Sequence, residues 1–262
     1  MQYPLSAVVL TKNEEKNIRE CLKSLSFSKE IIVIDNNSVD NTIQIAKEFT
    51  SLIFRIDVND FSQLRTKGLE ESSLDWVLYI DADERVTDDL AREIGAIVED
   101  PFNYNTVFAL RRKDIWHNSE VGHGEVSDAY RNGIIRLVHK KSGVWCGKVH
   151  EEFKTKERTL ITKNIILHYP HPTLSEFIHD VNIYSTIRAQ ELYNQKAQIS
   201  MVQLICFPFG KFIYTYFIRA GFKDGYAGFI YSFLMSFHSF LVRAKLYQLT
   251  YLQNSSSNSN HI

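Results

Sequence analysis

The feature that most constrains the fold is an alternation of short apolar runs with amphipathic helical segments in the first 80 residues. The apolar runs lie at residues 5–10, 31–34, 51–56 and 76–80, and segments with helical spacing lie between them at 14–25, 42–49 and 62–72. Runs without polar alternation are typical of parallel strands buried between helices. The sequence therefore predicts an α/β fold whose sheet is covered on both faces.

The pattern changes after the fourth predicted strand. Glu84 is predicted to begin a helix that continues over residues 88–98. Apolar runs at 107–110, 134–138 and 165–167 predict further strands of a mixed sheet. The polar, Gly-, His- and Asn-containing stretch 116–131 is predicted to be a long loop over the site.

From residue 173 onward the chain is predicted to be helical and is increasingly aromatic. Residues 199–218 are apolar but interrupted by polar residues, and residues 225–242 carry no Asp, Glu, Lys or Arg. A spanning helix needs about 20 predominantly apolar residues, so neither run predicts one. Aromatic and basic residues in interrupted apolar runs favour helices lying in a membrane interface. The alternative is a helical pair packed on the main domain or on a second subunit.

Charge is distributed unevenly along the 262 residues, although the net charge is only −1. Of 30 basic and 31 acidic residues, six basic and one acidic lie from Leu192 onward, which makes this part net +5 and the preceding part net −6. The two parts are therefore expected to meet different partners. Cys21, Cys146 and Cys206 have no metal-binding spacing, and their pattern favours reduced thiols in a cytosolic protein.

Polar side chains follow three of the predicted strands at the point where each strand ends. Asp81 and Asp83 follow the fourth strand, Asp35 ends the second, and Thr11 to Glu14 follow the first. Ligands of open α/β sheets bind outside the carboxyl ends of the strands. Mg²⁺ usually takes one or two carboxylates together with substrate phosphates. The three strand ends therefore predict one crevice for a metal-bound phosphate compound.

Two of the polar residues near this crevice have simpler alternatives. Asp35 could accept a hydrogen bond from a base or a ribose hydroxyl, or it could only cap the turn that follows it. Arg65 lies on the predicted helix before the fourth strand. Its guanidinium could contact a base or a diphosphate, or it could lie on a solvated helix face.

Three segments carry a resemblance to a known family. In order, strand-end position and spacing, Ala7–Glu15, Ile32–Thr42 and Asp75–Glu84 resemble the successive motifs of the inverting family 2 glycosyltransferases of GT-A fold. The resemblance implies a GT-A domain, a Rossmann-like mixed nucleotide-binding sheet flanked by helices, followed here by a C-terminal α-helical, aromatic-rich extension. Asn36 departs from the Asp of many members.

The resemblance also implies roles for particular residues. The nucleotide-sugar would be held by Thr11, Asn13, Glu14, Asp35, Arg65, Asp81 and Ala82. The divalent cation on the diphosphate, Mg²⁺ or Mn²⁺, would be held by Asp83 and Asp81.

Further segments resemble one branch of the family. Residues 147–151, 167–169, 182–185 and 221–229 are similar to the β-1,4-glucosyltransferase-like enzymes that build lipopolysaccharide inner core. This similarity extends to about Leu249.

An inverting transfer needs a base that takes the proton of the acceptor hydroxyl. Candidates outside the nucleotide half are Glu125, Asp128, Glu151 and Glu152. Glu151 is chosen because the Val-His-Glu resemblance falls on it; the alternative is a surface carboxylate pair.

Three further residues are candidates for binding an anionic acceptor such as a phosphorylated core sugar. They are Arg131, Arg136 and His150. Arg136 lies inside a strand pattern, so pairing with a structural carboxylate is an equal alternative. A single histidine is also more often structural than ligand-binding.

These expectations combine into one functional hypothesis. Residues 1–172 would form the catalytic domain, with a nucleotide-sugar half (1–100) and an acceptor half (101–172). Residues 173–252 would bind the membrane or a second copy, and 253–262 would be disordered. The enzyme would move a hexose, with glucose favoured, from a UDP-sugar to a lipid-linked or lipopolysaccharide-core acceptor. It would act as a peripheral protein on the cytoplasmic face of the inner membrane and would bind no nucleic acid.

Rival classes make different demands on the first strand. A phosphohydrolase working through an aspartyl intermediate would need its motif there, and a Rossmann dehydrogenase would need a glycine-rich turn between Leu10 and Asn17. Neither is present. A nucleotidyltransferase, a non-catalytic nucleotide-sugar binding protein and a scaffold protein remain as alternatives.

Overall fold

A computed structural model describes residues 2–58, 60–147, 151–170 and 173–259, with side chains described up to residue 251. The chain divides into two compact units. One unit comprises Met1–Asp114 and Asp128–Tyr169, and the other comprises Ile115–Ser127 and Pro170–Ile262.

The strands, numbered along the chain, are β1 Tyr3–Thr11, β2 Ser28–Asp35, β3 Ile53–Arg55, β4 Trp76–Asp81, β5 Glu84–Val86, β6 Thr106–Trp116, β7 Ser119–Val121, β8 Ile134–His139, β9 Gly143–Cys146, β10 Glu152–Thr155 and β11 Arg158–His168. The α-helices are α1 Ile18–Ser24, α2 Thr42–Ala46, α3 Phe61–Glu71, α4 Asp88–Glu99, α5 Ser127–Asn132, α6 Leu174–Asn194, α7 Met201–Ile213 and α8 Gly225–Ser259.

The first unit is built on a mixed sheet with the strand order β3-β2-β1-β4-β8-β6-β11-β5. The four strands at the N-terminal side run parallel, whereas β8 is antiparallel to both β4 and β6. Parallel neighbours require crossover connections, and α1, α2 and α3 provide them. The predicted fold class, a mixed α/β sheet flanked by helices, is confirmed.

Successive residues of the central strands enter two different cores. In β1, Ala7 and Val9 belong to one buried cluster, while Val8 and Leu10 belong to the other. Because side chains alternate across a strand, the two clusters lie on opposite faces of the sheet. The continuous apolar runs of the sequence are explained by this double coverage. On one face, Gly68 lets α3 approach β1: a Cβ there would lie 2.3 Å from Val8 Cγ1.

The prediction that Glu84 begins a helix is wrong. Glu84 begins β5, which pairs antiparallel with β11, and its side chain is fully buried. The helix begins at Asp88 instead, because the Thr87 side chain caps it by accepting a hydrogen bond from Leu90 N at 3.2 Å.

The second unit is mainly helical and rich in aromatic contacts, as predicted. Helices α6, α7 and α8 form most of it, with a π-helical turn at Tyr214–Ile218 after α7. Phe177 of α6 packs on Tyr231 of α8 with ring centroids 4.8 Å apart. Helix α8 is described to Ser259, so its backbone remains helical into the segment predicted to be a disordered tail.

The prediction of one long loop over residues 116–131 is also wrong. The segment contains β7, a 3₁₀ turn and the start of α5. Its local order comes from Asp224, whose carboxylate accepts hydrogen bonds from Gly122 N and His123 N at 3.1 and 2.8 Å. Such a partner is distant in sequence, so the local composition could not reveal it.

Candidate active site

The ends of three parallel strands meet at one edge of the sheet in the first unit. In the strand register Thr11 lies beside Asp35, and Leu10 lies beside Asp81. The backbone continues this contact, since Asn36 N donates to Thr11 O and Ala82 N donates to Leu10 O at 2.8 and 3.1 Å. The crevice predicted at the carboxyl ends of the strands is therefore lined by these residues.

The two loops that follow β1 and β2 are joined by reciprocal hydrogen bonds. Asn13 N donates to Ser38 Oγ, and Asn13 Oδ1 accepts from Val39 N, both at 2.8 Å. Glu14 N donates to Thr42 Oγ1 at 2.7 Å. Asn13 adopts a left-handed conformation with φ 56°, which asparagine tolerates better than most residues. These contacts fix the backbone of the loops before any ligand arrives.

The Asp35 side chain stabilises the second of these loops by accepting hydrogen bonds from it. Its side chain is fully buried and accepts hydrogen bonds from the backbone N–H and the hydroxyl of Ser38. Arg55 Nε lies 3.4 Å from Asp35 Oδ2, which also accepts from Ser38 N. The turn-capping alternative is thus what the geometry shows for Asp35.

Thr11 and Glu14 differ from Asp35 in having polar atoms whose hydrogen bonds are not all made by the described residues. The buried Thr11 hydroxyl has no hydrogen-bond partner among the described residues. Glu14 accepts one hydrogen bond, from Asn17 Nδ2 at 2.9 Å. Burial, together with the nearby charge of Asp83, raises the pKa of Glu14 to about 7 against the opposing effects of Asn17 and Arg85. An unsatisfied buried hydroxyl such as that of Thr11 is expected where a ligand completes the site.

The raised pKa of Glu14 predicts a specific pH dependence of stability. Between pH 4.5 and about 7 the folded protein holds a proton on Glu14 that the unfolded chain has lost, so stability falls as the pH rises through this window. Substituting Glu14 with glutamine removes this loss, and we expect the variant to be more stable than wild type by about 1–2 kcal/mol near pH 8 and similar near pH 5.

Urea unfolding at the two pH values measures the difference. Glu70→Gln, at an exposed position of α3, is the control and should follow wild type. If the difference in unfolding free energy between Glu14→Gln and wild type were the same near pH 5 and near pH 8, the pKa of Glu14 would not be raised in the folded protein.

Asp81 lies between two buried arginines. Its Oδ1 is 3.2 Å from Arg65 Nη2, and its Oδ2 is 2.5 Å from Arg136 Nη2. Burial alone would raise the pKa of Asp81, but the Arg136 and Arg65 guanidiniums outweigh burial and hold the pKa well below its usual range. Asp81 is therefore an ionised and rigidly oriented carboxylate, and its side chain keeps 30% of its surface exposed to the crevice.

Glu84 is a second buried carboxylate behind Asp81. Its Oε2 accepts a hydrogen bond from Asp81 N at 3.0 Å, and its Oε1 lies 3.4 Å from Arg136 Nη2 and Arg112 Nη1. Glu84 thus positions both the backbone and the side-chain partner of Asp81. Arg136 is 3% exposed, so the geometry supports its pairing with structural carboxylates rather than its contact with an acceptor.

Removal of the Glu84 carboxylate should destabilise the protein strongly. Glu84→Ala leaves the buried Arg136 and the half-buried Arg112 without this partner, and breaking a buried pair costs about 3–5 kcal/mol of unfolding free energy. Chemical denaturation measures it, with Glu70→Ala as an exposed glutamate control expected to stay within about 0.5 kcal/mol. A cost for Glu84→Ala as small as that of the control would contradict a positioning role.

Asp83 is joined to a histidine that the sequence analysis gave no role. His168 Nε2 lies 3.2 Å from Asp83 Oδ2, and His168 Nδ1 lies 2.8 Å from Asp114 Oδ1. Burial would lower the pKa of His168, but the two carboxylates raise it to about 10. Burial likewise would raise the pKa of Asp83, and His168 lowers it below its usual value. Only the Leu167-His168-Tyr169 resemblance had marked this residue.

The donor set around Asp83 fits a divalent cation that is shared with a phosphate ligand. In the described part of the chain, no three His, Cys, Asp or Glu side chains are grouped so as to hold a metal alone. Asp83 can supply one carboxylate and His168 one imidazole, provided that a binding cation displaces the proton from His168 Nε2. Mg²⁺ usually completes its shell with substrate phosphates and waters. Asp114 behind His168 is the carboxylate that commonly orients a metal-binding imidazole.

Arg65 connects Asp81 to the predicted base. Its Nε and Nη2 lie 2.8 and 2.7 Å from Glu151 Oε1, while Nη2 also reaches Asp81. The guanidinium lies over the Trp145 ring at 4.9 Å and is 4% exposed, which excludes the solvated-face alternative. Arg65 Nη1 has no partner among the described residues. Arg65 and Glu151 are thus brought to the same place as Asp81.

The remaining predicted site residues are not part of this network. Arg131 is exposed in the last turn of α5, and Glu152 is exposed on β10. Glu125 pairs with Lys211 at 2.7 Å within the second unit. His150, with Val149 of the same predicted motif, lies outside the described residues. The assignment of Glu151 as the candidate base is therefore supported by its own contacts and not by those of its sequence neighbours.

Comparison with known proteins identifies the family. The sequence model of the family described as glycosyl transferase family 2 matches residues 6–175 of this chain. An uncharacterized glycosyltransferase of Rickettsia typhi is 28% identical over 273 residues, covering 94% of this chain and 87% of that protein. The lipopolysaccharide core biosynthesis glycosyltransferase LpsC of Rhizobium meliloti is 26% identical over 257 residues, covering 94% of this chain and 92% of that protein.

Among solved structures, S. aureus TarS 1–349 in complex with UDP-GlcNAc is 16% identical with a TM-score of 0.49, covering 94% of this chain and 84% of that chain. The family match covers well over half of the 262 residues and contains every residue of the strand-end crevice. The chain therefore belongs to glycosyl transferase family 2, and this protein is a glycosyltransferase.

Proposed function

We propose that this enzyme moves a hexose, with glucose as the first candidate, from a UDP-sugar to a lipid-linked or lipopolysaccharide-core glycan with inversion in a single displacement. One observation carries the proposal: Asp83 with His168, and Asp81 with Arg65 and Glu151, lie at the strand ends beside the unsatisfied Thr11 hydroxyl. This arrangement would let a metal-bound diphosphate and a basic carboxylate act at the same strand ends.

The nucleoside end of the donor would be held by the joined loops. Thr11 and Glu14 would bind the uridine through the hydroxyl and carboxyl groups that the protein leaves available. Asn13 and Asp35 would act by shaping the loops, since their side chains are already bonded to loop atoms. Asp81 would accept from the ribose hydroxyls, and Ala82 would present its backbone beside them.

Asp83 and His168 would hold Mg²⁺ or Mn²⁺ at the diphosphate. A bound divalent cation neutralises the charge that develops on a leaving diphosphate. Arg65 would add hydrogen bonds to the same group, because its Nη1 has no protein partner among the described residues. Asp114 and Glu84 would hold His168 and Asp81 in place.

Glu151 would take the proton of the acceptor hydroxyl. Its side chain is 15% exposed, and it is oriented by Arg65. A base in this role must lie within hydrogen-bond reach of the hydroxyl as that oxygen attacks the anomeric carbon from the face opposite the diphosphate. The bond from the anomeric carbon to the diphosphate oxygen breaks as the new glycosidic bond forms.

The proposed acceptor class rests on similarity and charge. LpsC is named for lipopolysaccharide core biosynthesis, and this chain is similar to it over nearly its whole length. Arg131 and His150 are kept as candidates for binding an anionic core sugar. In this proposal residues 1–172 are catalytic, residues 173–252 attach the enzyme to the cytoplasmic face of the inner membrane, and a homodimer is possible.

Product analysis with UDP-glucose, Mn²⁺ and a core-truncated lipopolysaccharide tests the proposal. We expect release of UDP that depends on the cation, and a β-glucosyl product by proton NMR. Release of pyrophosphate instead would indicate a nucleotidyltransferase. An α-linked product would contradict the single displacement, and donor binding without turnover of any UDP-hexose would support a binding protein.

A further inference from the structure

An exposed aromatic stripe runs along α8. Its members recur three, four or seven residues apart, so that at 3.6 residues per turn they fall within about 80° of the helix circumference. The stripe comprises Tyr226, Phe229, Phe233, Phe237, Phe240, Tyr247 and Tyr251. Each of these side chains is at least 37% exposed, and Tyr226 is 92% exposed.

The stripe is not the face by which α8 joins its own unit. The opposite face carries Ala227, Tyr231 and Leu234, which are buried in a cluster with Trp116 and Phe177. Helix α8 therefore has two apolar faces. On the face that carries the stripe, Phe229 packs on Phe212 and Tyr216 with ring centroids 5.7 and 5.6 Å apart, but the stripe as a whole stays exposed. Contiguous apolar surface that is left exposed on this scale marks an interaction site.

Helix α7 extends the same kind of surface. None of its side chains is buried, and Val202, Ile205 and Phe209 are each more than 60% exposed. The helix is joined to α8 by Arg243, which lies 4.2 Å from the Phe207 ring centroid, and by a hydrogen bond from Ser236 Oγ to Pro208 O at 2.7 Å. The exposed apolar side chains of the two helices are called the α7–α8 surface below.

Charge indicates what this surface meets. The stretch 225–242 contains no Asp, Glu, Lys or Arg, whereas paired helices of soluble dimers usually carry charged residues beside their apolar seam. The one acidic residue after Leu192 is Asp224, whose carboxylate is 6% exposed and bonded to the backbone of residues 122–123. Lys196 and Lys223 are exposed. The part of the chain after Leu192 thus shows no exposed carboxylate that would repel an anionic lipid.

The helices have the length to cross a bilayer, yet their contacts favour lying on it. By length and composition alone, Met201–Ile218 and Gly221–Tyr251 qualify as membrane spans. This differs from the sequence-based prediction that neither run would span a membrane. Lys211 is paired with Glu125 at 2.7 Å, and one face of α8 is covered by its own unit. Crossing the bilayer would strip away both sets of contacts.

We propose that the α7–α8 surface inserts into one leaflet of an anionic bilayer, with both helices lying in the plane of the headgroup–acyl boundary. Aromatic side chains with polar ends are suited to this depth. The inference rests on the membrane attachment included in the proposed function and specifies its surface and depth. It does not depend on the sugar chemistry, because it uses residues of the second unit only.

Vesicle flotation of the full-length protein tests it. Wild type is compared with Phe233→Ser/Phe240→Ser on phosphatidylcholine vesicles with and without phosphatidylglycerol. Both rings are exposed in the protein and would be partly buried in the bilayer. Losing them should therefore weaken binding to the anionic vesicles at least about tenfold. Phe102→Ser, at a 91% exposed phenylalanine of the first unit, is the matched control and should float like wild type. UDP affinity should be unchanged in all variants, which separates this test from the proposed function.

Tyr226→Ser is a second variant that removes a 92% exposed ring, so its folding should be unaffected even if the double variant unfolds. It should also weaken binding. Flotation of both variants like wild type, or failure of wild type to bind anionic vesicles, would overturn the proposal. Resistance of the bound protein to alkaline carbonate would overturn it in favour of spanning helices. A dimer seen by ultracentrifugation and lost in the same variants, without vesicle binding, would assign the surface to a second copy.

Discussion

Replacing Asp83 with alanine is expected to lower glycosyl transfer by about a thousand-fold, the loss that corresponds to several kcal/mol of charge stabilisation at the leaving diphosphate. The structure supports this size of effect because Asp83 is the carboxylate that His168 contacts at 3.2 Å, and the described residues offer no cluster of three metal ligands to replace it. The rate of UDP release from the UDP-sugar measures the loss.

The matched control for this variant is Asp89→Ala, which removes an aspartate that is 69% exposed at the start of α4. It should retain wild-type activity. If Asp83→Ala kept cation-dependent transfer within a factor of about three of wild type, a difference below 1 kcal/mol, the assignment of Asp83 to the metal would be wrong. If substitution of His168 abolished cation-dependent transfer while Asp83→Ala did not, the cation would be held by His168 with other ligands. The metal-assisted chemistry would then be the same at a different position.

The second large effect is expected for Glu151→Gln. General base catalysis contributes about 10²–10⁴-fold, so the transfer rate should fall by that factor while the affinity for the UDP-sugar is retained. Glutamine keeps an oxygen that can accept from Arg65, so the contact that orients Arg65 is preserved in part. Single-turnover kinetics with a saturating acceptor separate the rate from the affinity.

Glu152→Gln is the neighbouring control and should have little effect, because Glu152 is exposed on β10. The alternative role of Glu151 is to hold Arg65 for the diphosphate. In that case Glu151→Gln would weaken donor binding and leave the rate at saturating donor near wild type, and another carboxylate would have to act as base.

The nucleotide half of the fold was predictable because its signals are local. Each parallel strand is an uninterrupted apolar run, and each is followed by loop or capping residues within a few positions. Parallel pairing then brings Thr11, Asp35 and Asp81 to one edge without further information. The separate roles predicted for Asp81 and Asp83 came from the family resemblance and not from strand pairing.

The supporting residues were not predictable in the same way. Glu84 and Arg136 are 52 residues apart in sequence, and Asp83 and His168 are 85 apart. Each pair meets only because β5, β8 and β11 join one sheet. Glu84 therefore looked like a helix start, and Arg136 could not be distinguished from an acceptor-binding residue. Strand pairing over long separations leaves no trace in local spacing.

The second unit shows the same limit for surfaces. Its aromatic content and helical character follow from the sequence, but the sequence does not tell which face of α8 is buried. Only the packing of Tyr231 and Leu234 in the unit shows that the aromatic stripe on the other face is left exposed.

The central claim is that Asp83 and His168 hold a divalent cation that binds together with the diphosphate of a uridine nucleotide. Isothermal titration of UDP into wild type and Asp83→Asn, each with and without Mn²⁺, tests it most directly. We expect Mn²⁺ to strengthen UDP binding to wild type at least about tenfold, or 1.4 kcal/mol, and to leave UDP binding to the variant unchanged. Equal UDP affinity with and without Mn²⁺ in wild type, or an undiminished effect of Mn²⁺ in Asp83→Asn, would contradict it.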